Sequence, residues 1–170
     1  MLVKMSRFQL AGLIIVIGAG VFFIMRISGT GIDRLKRHEA LRLEPYKDQA
    51  GHWTIGYGHK LKPNEWWDRI TPQQAEDLLR ADLAEAEQAI ADLVTVPLTQ
   101  GQYDALASFV FNVGVSAFRD SALLRKLNAG DYAGAAAEFP RWKYVTQGGE
   151  KVESKGLLSR RQREQQLFLT

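Results

Sequence analysis

The chain has 170 residues, 46% of them hydrophobic, which suits one compact domain plus a short extra segment and excludes a disordered polymer. Its surplus positive charge is N-terminal: Lys4, Arg7 and Arg26 face no acid in residues 1–29, while residues 30–170 balance, so the basic character argues against nucleic-acid binding. There is no cysteine, which removes disulfides, thiol nucleophiles and zinc–thiolate sites.

In chain order, the first feature is residues 8–25, 18 residues without a charge between Arg7 and Arg26. As a helix this stretch would be roughly 27 Å long, close to the hydrocarbon thickness of a bilayer. It is longer than the apolar region of a cleavable signal peptide, and no clear A-x-A site follows. The sequence therefore predicts an uncleaved transmembrane signal-anchor, with residues 1–30 forming anchor and linker and residues 31–170 the body. Ser28, Gly29, Thr30 and Gly31 read as that linker. Helical spacing of Ile32 and Leu35 among charges predicts a short helix over 32–39. Tyr46, Trp53, Ile55 and Tyr57 among turn residues predict a small antiparallel sheet within 44–60. Thr71, Pro72 and Gln74 open a long helix, with an N-cap, a proline at the first position and a capping glutamine; its apolar stripe runs to about Leu93. Thr99 caps the next helix. Shorter helices follow at about 120–129, ended by Gly130, and at 131–139, with a last helix over 157–168. The class is α+β: a small sheet lobe and a larger helical lobe.

The chemistry concentrates near the start of the body. Hydrolysing a glycosidic bond needs an acid for the leaving oxygen and a second carboxylate for the water or the cationic sugar. Glu39 at a helix end and Asp48 in the small sheet could face one another across a groove, with Thr54 beside them. Taken alone the pair is a weak signal, because Asp48 could cap a turn and Glu39 could be solvated. His38, His52 and His59 follow no metal-ligand spacing, so neither a metal nor a cofactor is expected. Residues 141–170 carry a local basic excess, which suits either an anionic polymer or a solvated helical face.

The wider string is more specific. His38 to His59 reads H-E-A-x-R-L-x-P-Y-x-D-x-x-G-x-W-T-I-G-Y-G-H and resembles the active-site segment of phage-type lysozymes, glycoside hydrolase family 24. Phe111-Asn112-Val113-Gly114 is similar to that family's F-N-x-G. Arg141-Trp142, Gly156-Leu157 and Arg160-Arg161 are similar to its R-W…G-L-x-x-R-R. The resemblance spans about residues 31–168 and implies a lysozyme-like body that hydrolyses the β-1,4 bonds between N-acetylmuramic acid and N-acetylglucosamine in peptidoglycan. It implies Glu39 as general acid, Asp48 as the group that activates or orients water, Thr54 as a holder of that water, and an inverting outcome. His59 reads as an anchor of the sheet to the long helix, with Asp82 its expected partner. Trp142 reads as core, and no role is assigned to Trp66 or Trp67.

The apolar N-terminus, with Ala11, Gly12, Gly18, Ala19 and Gly20, also resembles that of signal-anchor-release endolysins. That resemblance implies an inner-membrane tether with the body in the periplasm, later released. The expected partners are peptidoglycan glycan strands and the inner membrane through residues 8–25, with a monomeric body and no nucleic acid. Two rivals stand beside this reading: a lytic transglycosylase, which closes the sugar without water, and a tethered murein-binding protein without catalysis.

Overall fold

The computed structural model describes residues 12–17, 20–48 and 51–170, with side chains from Met25 onward. Its first elements are strands, Gly12–Ile17 (β1) and Gly20–Met25 (β2), paired antiparallel with Leu13 opposite Ile24 and Ile15 opposite Phe22. This corrects the expected transmembrane helix: among the described residues, no helix is long and apolar enough to cross a membrane. The run is rich in β-branched and aromatic residues, from Ile14 to Ile17 and from Val21 to Ile24, which favour strands. A continuous apolar run has no period to tell helix from strand. The anchor's residues 8–11, 18 and 19 lie outside the described residues.

Helix α1, Gly29–His38, begins where a linker was expected. Ser28 is its N-cap and accepts the Gly31 amide at 3.0 Å. Gly31 serves close approach rather than flexibility, since a Cβ there would meet Asp104 at 2.9 Å and Ile27 at 2.7 Å. The junction just before the helix is tied into the body. Arg26 Nη1 and the Ile27 amide donate to Glu87 at 2.8 and 2.7 Å, and the Ser28 amide donates to Asp104 at 2.9 Å. Met25 and Ile27 pack on the main core.

Three strands, β3 (Arg42–Lys47), β4 (Trp53–Gly56) and β5 (His59–Lys60), form the small antiparallel sheet in sequential order. Tyr46 pairs with Thr54 and Lys47 with Trp53. The tight β4–β5 connection requires positive φ at Gly56 and Gly58. Helix α2, Pro72–Leu93, opens with the expected reciprocal box between Thr71 and Gln74 and buries Ala75, Leu79, Leu83, Ala86 and Ile90. Helix α3, Gln100–Val113, repeats the device with Thr99 and Gln102.

Short helices α4 (Val115–Arg119), α5 (Ala122–Asn128) and α6 (Tyr132–Ala136) and a 3-10 turn at Phe139–Arg141 surround α3. A second hairpin follows, β6 (Tyr144–Gln147) with β7 (Glu150–Glu153), which the sequence reading did not anticipate. Helix α7, Lys155–Phe168, closes the chain and packs on α3. The main core centres on Phe109, whose ring meets Phe139, Trp142 and Phe118 edge-on at 5.2, 5.4 and 6.4 Å. A smaller cluster of Ile55, Ile70 and Ala75, flanked by Trp67, joins the sheet to α2.

Candidate active site

Glu39 ends α1 as its C-cap, its amide returning to Leu35 O at 3.0 Å. The capping backbone is extended, which turns the chain out of the helix and toward the sheet. The carboxylate then sits between two lobes. Oε1 accepts from Arg160 Nη1 of α7 at 2.5 Å, and Oε2 lies against Gly58, where an added Cβ would come within 3.5 Å. A side chain at position 58 would therefore crowd Glu39, in addition to straining the positive φ of the turn.

Arg160 is itself held. Its Nε donates to Glu164 Oε1 at 3.2 Å and its Nη2 to Ser108 O at 3.4 Å. Glu164 also accepts from Ser108 Oγ at 2.7 Å and Arg161 Nη2 at 3.0 Å. Arg161 is fully buried, donates to Asn112 Oδ1 at 3.0 Å, and lies 5.0 Å from the centre of the Phe109 ring. A charged chain thus runs from Glu39 through Arg160 and Glu164 to Arg161 and Asn112. Burial pulls the Arg161 guanidinium down to about 10, and burial pushes the Glu164 carboxyl up against the opposing pull of Arg161 and Arg160. Asn112 and both arginines belong to motifs noted in the sequence, but their joining through Glu164 had no local signal there.

Asp48 lies in the turn after β3. Its Oδ1 accepts the His52 amide at 2.9 Å, its own amide donates to His52 O at 2.9 Å, and His52 Nδ1 stands 3.4 Å from Oδ2. Thr54, buried on β4, donates its hydroxyl to the same His52 carbonyl at 3.1 Å. Tyr46 faces both acids: burial raises its phenol most, followed by the charges of Glu39 and, more weakly, Asp48. Glu39, Tyr46, Asp48, Thr54, Asn112 and Arg160 all border one cavity of about 580 Å³ between the lobes. The three residues expected at the site are brought together. Glu44, off the motif, instead pairs with Arg69 at the surface.

Behind the β4–β5 turn, His59 anchors the sheet as expected. Nδ1 lies 2.9 Å from both oxygens of Asp82 on α2, and Nε2 lies 2.9 Å from Glu65, a partner the sequence reading missed. The Asp82 hydrogen bond raises the imidazole pKa most, burial opposes it, and Glu65 raises it further. Trp67 packs beneath the sheet, and Trp66 meets Trp53 edge-on at 5.3 Å on the outer surface. Among the described residues, no group of three His, Asp or Glu side chains could hold a metal ion.

An acid at the end of a helix, a second acid held in a hairpin turn and a buried hydroxyl beside it, all on a cavity between two lobes, suit glycoside hydrolysis. The family model described as phage lysozyme matches residues 36–164. The endolysin of Acyrthosiphon pisum secondary endosymbiont phage 1 is 49% identical over 144 residues, covering 85% of this chain and 98% of that protein. The SAR-endolysin of Escherichia phage Mu is 42% identical over 143 residues, 81% of each chain. In structure, the endolysin from Escherichia coli O157:H7 phage FAHEc1 matches with a TM-score of 0.78 at 40% identity, over 85% of this chain and 94% of the other. The chain belongs to the phage lysozyme family.

Proposed function

We propose that Glu39 is the general acid of this enzyme, that Asp48 activates the attacking water, and that Thr54 helps to hold it. As a member of its family the chain is a glycoside hydrolase, an endolysin acting in peptidoglycan lysis; the bond assigned to it is the β-1,4 link from N-acetylmuramic acid to N-acetylglucosamine. One observation carries the residue assignment: the two acids and the threonine hydroxyl border the same cavity, with Arg160 bonded to Glu39. An acid acting through water leads to inversion, and the separation expected between the two carboxyl groups is roughly 6.5–9.5 Å in the substrate-bound enzyme.

The test is Glu39→Gln, nearly isosteric but without a transferable proton. Lysis of outer-membrane-permeabilised cells should fall by about 100-fold or more while the circular dichroism spectrum stays that of the folded parent. Activity within tenfold of the parent removes Glu39 from the acid role. Mass spectrometry of the released muropeptides separates hydrolysis, which leaves reducing ends, from transglycosylation, which leaves anhydro ends.

The reading extends to the N-terminus: the apolar run at 8–25 is a signal-anchor joined directly to the body through the bonded residues 26–28, and the body is a monomeric catalytic unit held in the periplasm at the host inner membrane and later released. It is supported by the 18 uncharged residues at 8–25 and by the SAR-endolysin relative. Only helices and closed barrels satisfy their backbone within lipid. Insertion therefore requires the β1–β2 pairing to give way to a helix.

A further inference from the structure

We propose that the β6–β7 hairpin is a substrate-holding arm, whose Val145–Val152 face packs against the apolar side of the glycan strand lying in the cavity. This rests on the reading of that cavity as the peptidoglycan site. Val145 of β6 lines the cavity together with Glu39, Asp48 and Thr54. It pairs directly with Val152 of β7, and Gln147 pairs with Glu150. Residues directly opposite in an antiparallel pair share a face, and positions two apart repeat it. Val145, Val152, Gln147 and Glu150 therefore form the cavity side, while Tyr144, Glu153, Thr146 and Lys151 form the other.

A hairpin this short is marginally stable and gains little by exposing a valine pair. Every position of β7 is exposed, Val152 at 40%, and in β6 only Val145 is partly covered. The arm is nonetheless given a defined shape. Gly148 and Gly149 both take positive φ, which suits the tight turn of a two-residue hairpin loop. Its base is closed by the Ser154 amide on Lys143 O at 2.8 Å and by a 2.6 Å ion pair from Lys143 to Glu153. Val145 thus borders the cavity beside Phe111 and Leu157, and Val152, its exposed cross-strand neighbour, extends the same face.

The occupant that suits them is the glycan rather than the stem peptide. Sugar rings and their N-acetyl groups offer neutral C–H surface to two adjacent valines, and Gln147 at the next pair can hydrogen-bond their hydroxyls. The valine pair supplies no partner for the carboxylates and amine of a stem peptide, whereas it matches the neutral C–H faces of the sugars. The arm acts by binding, so it contributes to holding the strand and leaves the chemical step to Glu39 and Asp48.

The experiment uses the full chain purified in detergent and soluble peptidoglycan strands, either intact or stripped of peptide by an amidase. Val152→Thr keeps the branched shape and strand preference while removing apolar surface. It should raise KM about fivefold on both substrates, with kcat unchanged, the signature of lost uniform binding. Val152→Ile should restore the parental KM. An unchanged KM for Val152→Thr beside an active parent overturns the arm and leaves the function intact. An effect confined to intact strands overturns the glycan assignment in favour of the peptide. A parent that releases no reducing ends overturns the functional reading, and this inference with it. Should Val152→Thr fail to fold, hydrogen exchange in the Glu39→Gln chain decides: amides 144–153 should become protected on adding peptide-free strands, and no change in protection refutes the arm.

Discussion

Glu164 is buried at 4% exposure and is the hinge of the charge chain behind the site, since it holds Arg160 on one side and Arg161 on the other. Replacing it with leucine leaves a fully buried guanidinium without its ion partner. Glu164→Leu should cost about 3–5 kcal/mol in urea unfolding and should release Arg160 from its grip beside Glu39. His59 gives a prediction of opposite character. Its folded pKa is raised, chiefly by Asp82, so its stabilisation is complete below about pH 6.5 and is lost as pH rises through the folded value. The melting temperature of the parent minus that of His59→Asn should shrink between pH 5.5 and pH 8.5, and a constant difference refutes the linkage. Individual residues were unevenly legible in the sequence. Glu39, Asp48 and Thr54 stood out because they lie within one short string. The Glu39–Arg160 contact joins residues 121 apart, and no local pattern encodes such a pairing.

Elements were legible where local chemistry decides them. The boxes at Thr71 and Thr99 are complete within four residues each, and both appear in the structure. Thr71→Ala removes the acceptor of the Gln74 amide and should cost about 1 kcal/mol, read as a lower melting temperature with unaltered kcat. Ser28 escaped notice because Gly29 and Gly31 beside it look like a linker; what fixes Gly31 is Asp104, 73 positions later in the chain. The β6–β7 hairpin escaped because a strand pair exposed on nearly every position has no half-buried alternation to read. The uncharged run at 8–25 misled for the reverse reason: its length suits a lipid-spanning helix, while the β-branched residues within it favour the strands at Gly12–Ile17 and Gly20–Met25, and no period decides between them.

At the scale of the molecule, the two-lobed α+β architecture was legible because the sheet, the long capped helix and the motif string occur in a fixed order. The N-terminal arrangement was not, because a continuous apolar run carries no period that tells a helix from a strand pair. The proposed anchoring can be tested. Gly18→Leu with Gly20→Leu adds apolar surface at roughly −0.3 to −0.6 kcal/mol per leucine on an insertion scale, so the variant should stay in the membrane fraction and lyse its host later than the parent. Equal lysis times would argue against release. The tie of residues 26–28 to Glu87 and Asp104 sets how the anchored enzyme would sit. Arg26 is the first residue beyond the apolar run, so a body that keeps these bonds hangs on no leash. It would rest with the Glu87–Asp104 corner on the headgroups and its cavity at a fixed height and heading. Such an enzyme would slide with the bilayer yet present its cavity to glycan at one height only, until either the bonds or the anchor let go.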